Sequence, residues 1–211
     1  MKKYLFLVMT ALCLQGMQAQ TVVKPTVKSK TTFAIVVDQK SYDAAKAEID
    51  AYRASVENEG LGTYLLIDDW KRPEPIREQL IKLHADKKAP LEGCVLVGDI
   101  PIAMVRDAHH LSSAFKMNPN MDWQRSSIPF PMIRDAQHLC SAFKMNQTMA
   151  WQRSSVPSDR YYDDFGLTFD YIKQDSVIAD YHYVSLRADG DQYIMPDIYS
   201  ARIRPLKVEG M

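Results

Sequence analysis

Between Thr32 and Asp99 the chain alternates short, unbroken apolar runs with longer stretches of helical period. Phe33–Val37 is a run rich in β-branched residues closed by Asp38, Tyr64–Ile67 a second closed by Asp68, and Cys94–Val97 a third closed by Gly98 and Asp99. Apolar runs this short, with no polar alternation, suit strands buried on both faces of a parallel sheet, where neither side meets water. After the first run, Ser41 is the predicted N-cap of a helix that carries Ala45, Ile49, Tyr52 and Val56 on one face and stops at Gly60. After the second, Pro73 and Pro75 open a helix that turns Ile76, Leu80 and Leu83 inward. The pattern predicts a β-α-β-α-β unit: an α/β fold with a mostly parallel open sheet and helices on both faces. Each strand leads into an Asp at the carboxyl edge, where open sheets place ligand sites, although Asp also favours the turn that leaves a strand whatever the function.

The pattern changes on either side of this unit. Upstream, Thr21–Thr31 is polar, with Pro25 and three lysines, and residues 20–31 read as a linker, with the domain running from 32 to 211. At the start, Lys2 and Lys3 precede the apolar run Tyr4–Leu14 and the stretch Gln15–Ala19. That is the form of a secretory signal peptide over residues 1–19, cut after Ala19 to leave Gln20 first. The run falls short of the roughly 20 apolar residues that span a bilayer, and none of that length follows, so no integral membrane segment is expected after processing. Leu12 before Cys13 is too bulky for lipoprotein processing. An exported chain works outside the cytoplasm, in the periplasm, at the cell surface or beyond, where Cys94 and Cys140 are free to pair.

Downstream, the sequence repeats itself. Residues 100–127 and 128–155 align without gaps, and 20 of 28 positions are identical. Met104, Ala108, Leu111 and Phe115 recur as Met132, Ala136, Leu139 and Phe143, a spacing that predicts a helix in each copy, and each copy ends in Trp-Gln-Arg-Ser-Ser. Two units are too few for a solenoid, so the reading is a duplicated insertion in a domain that needs one. His109 is replaced by Gln137 and Ser112 by Cys140, so neither of the variable residues is required by the unit.

Composition narrows the function. With 26 basic and 26 acidic side chains the formal charge is zero, and removal of residues 1–19 leaves 24 against 26. No excess of Lys and Arg exists to neutralise phosphates, which argues against a nucleic-acid partner. None of the eight glycines builds a G-x-G-x-x-G or G-K-[ST] phosphate loop, so no nucleotide cofactor is expected. The histidines and cysteines show no zinc-ligand spacing. Carboxylates gather late in the chain, at Asp159, Asp163, Asp164, Asp189, Asp191 and Asp197. Hard oxygen donors of this kind make Asp159, Asp163, Asp189 and Asp191 a candidate calcium site.

Val97-Gly98-Asp99 at a strand end, Ser158-Asp159-Arg160-Tyr161-Tyr162, the acidic turn Asp189-Gly190-Asp191, and Pro196-Asp197-Ile198 leading to Ala201-Arg202-Ile203 follow one another in this order. The succession resembles the gingipain-like cysteine peptidases, the C25 group of the caspase-like clan, from about Phe33 to Pro205. Ala201 stands where that family has Gly, and the insertion is doubled. The resemblance implies a caspase-like sheet, incomplete at its C-terminus, and a protein or peptide substrate. It also implies that the catalytic His, followed by Gly, and the catalytic Cys, at the end of an apolar strand, lie beyond the Ala201-Arg202-Ile203 strand. None of the five histidines precedes a Gly, so no residue of this chain is carried over as catalytic. The other expectation is a non-catalytic secreted protein that binds a partner through the duplicated aromatic insertion.

Overall fold

In the computed structural model, which describes residues 20–106 and 155–204, the three apolar runs are the centre of a five-stranded sheet. Strands β2 (Thr32–Asp38), β3 (Gly62–Asp68) and β4 (Leu91–Val97) are parallel, with β2 between the other two. Strand β9 (Tyr199–Ile203) adds to β4, also parallel, with Cys94 opposite Ser200 and Leu96 opposite Arg202. Gly93 lies under the Tyr199 ring, and a Cβ there would strike it.

Both faces of this sheet are covered by helices, as the unbroken runs demand. Ala34, Val36, Leu66, Cys94 and Leu96 share one core with Ile76 and Leu80 of helix α3 (Pro73–His84). Phe33, Ile35, Val37, Leu65, Ile67 and Val95 share the other with Ile49 of helix α2 (Lys46–Asn58). Ile76 and Leu80 are fully buried, and each such side chain contributes about 1.5–3 kcal/mol. Leu83 packs at the edge of the same core, so the predicted inward face of α3 is the observed one.

The first helix differs from its sequence reading. Asp38, not Ser41, is the N-cap: its carboxylate accepts from Ser41 N at 2.9 Å, and a short helix α1 (Gln39–Ala44) follows. The chain then breaks at Ala45 (φ −133°, ψ 34°) and restarts as α2. The break resets the helical phase, so Ile49, Arg53 and Val56 face inward while Tyr52 is 43% exposed. Gly60, at φ 90°, is the stop that was predicted, in a conformation that costs glycine least.

The segment read as a linker also belongs to the fold. Thr21–Val23 forms β1, antiparallel to β3, and places Val23 against the α2-side core. A three-residue edge strand leaves too short a pattern to be read locally, and its position comes from Glu57, described below.

A second sheet was not anticipated. Strands β5 (Ile102–Arg106), β6 (Ser155–Pro157), β7 (Phe169–Gln174) and β8 (Tyr181–Leu186) run in the order β6-β5-β8-β7. Only β5 and β8 are parallel. Ala103, Val105 and Val184 extend the α3-side core of the first sheet, so the two sheets share one apolar interior. Met104, assigned to a helix by its spacing to Ala108 and Leu111, is a strand residue opposite Tyr183. Spacing of three or four residues that spans the end of a strand mimics helical period, and β5 runs to Arg106. The rest of both predicted repeat helices, Cys140, and the signal segment 1–19 lie outside the described residues.

Candidate functional site

The four Asp residues expected to converge are spread over two places, and the tightest polar cluster forms where β4, helix α4 (Arg160–Asp163) and β9 meet. Its centre is Arg202. The guanidinium donates to Asp159 at 2.7 and 3.2 Å, to Ile100 O at 2.9 Å and to Pro101 O at 3.3 Å, and lies 5.9 Å from the Tyr162 ring centre. Its side chain is 2% exposed and that of Asp159 8%. Burial works against the charge on Arg202, but adjacent Asp159 outweighs it and holds the guanidinium more firmly protonated than usual. Tyr162, fully buried, donates from its hydroxyl to Pro101 O at 2.8 Å, and burial keeps its proton on.

Asp163 lies one turn further. It is fully buried, receives Arg160 at 2.6 Å and Ser200 Oγ at 2.5 Å, and leaves Oδ1 without a hydrogen-bond partner. Burial pushes its carboxyl up to about 6, against the downward pull of Ser200 and Arg160. Its backbone carbonyl accepts from Asp197 N at 2.8 Å and Ile198 N at 3.2 Å, which pins the entry to β9. Asp164 accepts from Met195 N at 2.7 Å and Asp197 from Phe165 N at 2.6 Å, closing the same seam. Arg77 of α3 completes it from the other side, donating to the carbonyls of Tyr161, Asp164, Phe165 and Leu167. Burial draws its proton affinity below the ordinary arginine value.

These partners account for the acidic residues. Asp159 and Asp163 face Arg202 and Arg160, Asp189 pairs with Arg187 at 2.6 Å in an exposed loop, and Asp191 lies beside Gly166. Among the described residues no group of three or more His, Cys, Asp or Glu is placed to hold a metal ion, so the predicted calcium set is not assembled. The reason is local: each of the first three carboxylates meets a guanidinium before it can meet another carboxylate. At the carboxyl edge, Asp38 accepts from Ser41 N and, at 2.8 Å, from Asp99 N, while Asp68 accepts from Asp69 N. Gly98 (φ 86°) lets β4 turn there, and a Cβ would strike the Asp38 carboxylate and the Ser41 hydroxyl. Asp38 and Asp68 therefore hold the turns that leave their strands, while the Asp99 carboxylate lies 3.7 Å from Arg204.

Cys94 is fully buried in β4, and burial, then Asp163 and Asp159, push its thiol far above the ordinary range. A thiol so held is a poor nucleophile. The two described histidines are engaged elsewhere. His84 Nδ1 is 2.8 Å from Leu91 O, and buried His182, its proton affinity lowered by burial, contacts the Tyr171 hydroxyl at 3.4 Å.

Two ionic residues, Glu57 buried and Arg77 half-buried, have no sign in the local sequence pattern. Glu57, in the last turn of α2, accepts from Thr26 N at 3.0 Å, Thr63 N at 3.3 Å, the Thr26 hydroxyl and Arg53 at 3.2 Å. Burial alone would raise its carboxyl, but these donors pull it below the usual range. It ties residues 24–26 to β3 and so seats β1. Arg77 carries the α4 loop in the same way. A single charge in an amphipathic helix gives no local sign of a partner tens of residues away.

The described residues define an α/β protein in which a mostly parallel sheet, flanked by helices, is joined to a smaller mixed sheet through a shared apolar core and a buried ionic seam. No helix among them is long and apolar enough to cross a membrane. Comparisons with protein-family models, with curated proteins and with solved structures find no match to this chain.

Proposed function

We propose that this chain is the leading part of an exported gingipain-like cysteine peptidase domain, a scaffold whose catalytic His and Cys belong to strands that follow β9. The observation that carries the reading is the convergence of the motifs on which the resemblance rests. Arg202 of Ala201-Arg202-Ile203 bonds Asp159 of Ser158-Asp159-Arg160-Tyr161-Tyr162 and the carbonyls of Ile100 and Pro101, just past Val97-Gly98-Asp99. Tyr162 bonds the same Pro101 carbonyl, and Gly98 N donates to Ile203 O at 2.8 Å. Three separated motifs thus act as one unit, which gives a physical reason for their occurrence together. Ala201, in the place of the family's Gly, is exposed on β9, where a methyl costs nothing in packing.

Among the described residues β9 is an edge strand: it pairs with β4 and with no other strand, and its Tyr199 and Ile203 are 53% and 55% exposed. A further parallel strand would cover that edge. The role of this part is to supply the rigid sheet on which a peptide-cleaving dyad is mounted. Among the described residues Cys94 is buried and His84 and His182 are engaged elsewhere, so the reading assigns the thiolate and base that peptide cleavage needs to the strands that follow.

The test has two arms. Residues 20–211, incubated with fluorogenic peptides bearing Arg, Lys or apolar residues before the scissile bond, are expected to show no turnover. The reading frame past codon 211 is expected to encode an apolar strand followed by His-Gly and a second ending in Cys, and the extended product to cleave. Turnover by residues 20–211 that vanishes on Cys94→Ala or Cys140→Ala would overturn the proposal. So would a continuing frame without those strands.

A further inference from the structure

We infer that Gln20 is a modification site, closing to an N-terminal pyroglutamyl lactam once its α-amine is freed. The inference rests on the proposed export and on cleavage after Ala19. Gln20 stands immediately before β1, whose first residue Thr21 is in register with Ile67, so the cut removes no part of the described fold. The side chain is half-buried and held at one end: Oε1 accepts from Gln79 Nε2 of α3 at 3.1 Å. At the other end, Nε2 is buried with no hydrogen-bond partner. An amide nitrogen in that position costs stability, because its N–H groups have left water and found nothing in exchange.

Cyclisation removes that atom. The α-nitrogen lone pair attacks Cδ, a new C–N bond closes a five-membered ring, the Cδ–Nε2 bond breaks, and Nε2 departs as ammonia with a proton from the α-amine. No oxidant, reductant or co-reactant is consumed. Oε1 stays as the lactam carbonyl, still an acceptor of the kind that Gln79 Nε2 bonds in the open form. The α-ammonium, a charge that would sit at a half-buried position at the start of an edge strand, becomes a neutral amide. The group the fold fails to satisfy is therefore the group the reaction expels, and the group it does satisfy is retained.

The experiment reads the intact chain, exported by a secreting bacterial host and treated with a purified glutaminyl cyclase. Expected are a mass lighter by one ammonia than the chain beginning at Gln20, a block to Edman sequencing, and Thr21 as first residue after a pyroglutamyl aminopeptidase. In the digest, the peptide Gln20–Lys28 carries the loss, Lys24 being protected from trypsin by Pro25. A readable Gln20 would overturn the inference and leave the cleavage reading standing. Residues from before Gln20 would overturn both. As a second readout, a chain made to begin at Gln20 and kept uncyclised is compared with its lactam form, which is expected to melt roughly 2–5 °C higher. A lower midpoint for the lactam would refute the role given to the unpaired Nε2.

Discussion

Removing the Asp159 carboxylate takes a counter-charge from a guanidinium inside the protein. The Arg202 side chain is 2% exposed, and in Asp159→Ala it would keep its carbonyl partners Ile100 and Pro101 but lose the carboxylate 2.7 Å away. Breaking a buried pair by truncating one partner costs about 3–5 kcal/mol, because the remaining charge is left uncompensated away from water. Against a total stability of about 5–15 kcal/mol, that is a large share. Arg202→Met removes the charge but takes the guanidinium from Asp159 and the donor from the Ile100 carbonyl, while the Pro101 carbonyl keeps Tyr162, so a loss of similar size is expected. In the double variant Asp159→Ala/Arg202→Met neither charge remains, and the cost should fall short of the sum of the single changes by about 1–3 kcal/mol. Arg202→Lys should not restore stability, since an ammonium cannot span both Asp159 and the two carbonyls as the planar fork does. Urea unfolding at pH 7 can be followed through tryptophan fluorescence, to which buried Trp70, bonded to Val37 O at 2.9 Å, contributes. A loss below about 1 kcal/mol for Asp159→Ala, or strict additivity in the double variant, would refute the description of this pair as the buried brace between motifs.

Three further outcomes follow from the same geometry. Asp163, raised from 3.8 to about 6, binds its proton more tightly folded than unfolded, so its contribution is complete below the ordinary value and lost as pH rises through about 6. Asp163→Asn should flatten stability between about pH 4 and 7, by at most roughly 3 kcal/mol, and an unchanged profile in pH-dependent urea titrations would count against the burial argument. Deleting Ile128–Ser155 joins Ser127 to Val156, so Ser-Val-Pro is kept opposite β5, and the thermal midpoint should be unchanged or raised. Deleting Ile100–Ser127 instead puts Phe130 and Pro131 where Ile102 and Ala103 stand in β5, which has partners on both sides, and should destabilise by several kcal/mol. Equal midpoints for the two deletions would show that β5 does not discriminate between the copies. Cys94 should resist iodoacetamide in the native protein and react on unfolding, as read by the mass of its peptide, and labelling under native conditions would contradict its place in β4.

What could be read locally was what is encoded locally. The unbroken runs at Phe33, Tyr64 and Cys94 declared strands buried on both faces, Ile76, Leu80 and Leu83 declared the inner side of α3, and Gly60 declared a stop; all stand in the structure. Apolar periodicity survives folding because the core rewards it wherever the element ends up. The second sheet, β1 and the ionic seam could not be read this way. Whether Met104 is helical or extended is decided by β8, some 80 residues later, and the seat of β1 is decided by Glu57 at the far end of a helix. The carboxylates show the difference most plainly. In sequence, Asp159, Asp163, Asp189 and Asp191 share the chemistry of cation ligands, but a carboxylate's role depends on what stands within about 3 Å of it. Folding placed Arg202 beside Asp159 and buried Asp163 against Ser200 and Arg160, which made these two braces of the fold, while Asp189 pairs with its neighbour Arg187 in an exposed loop.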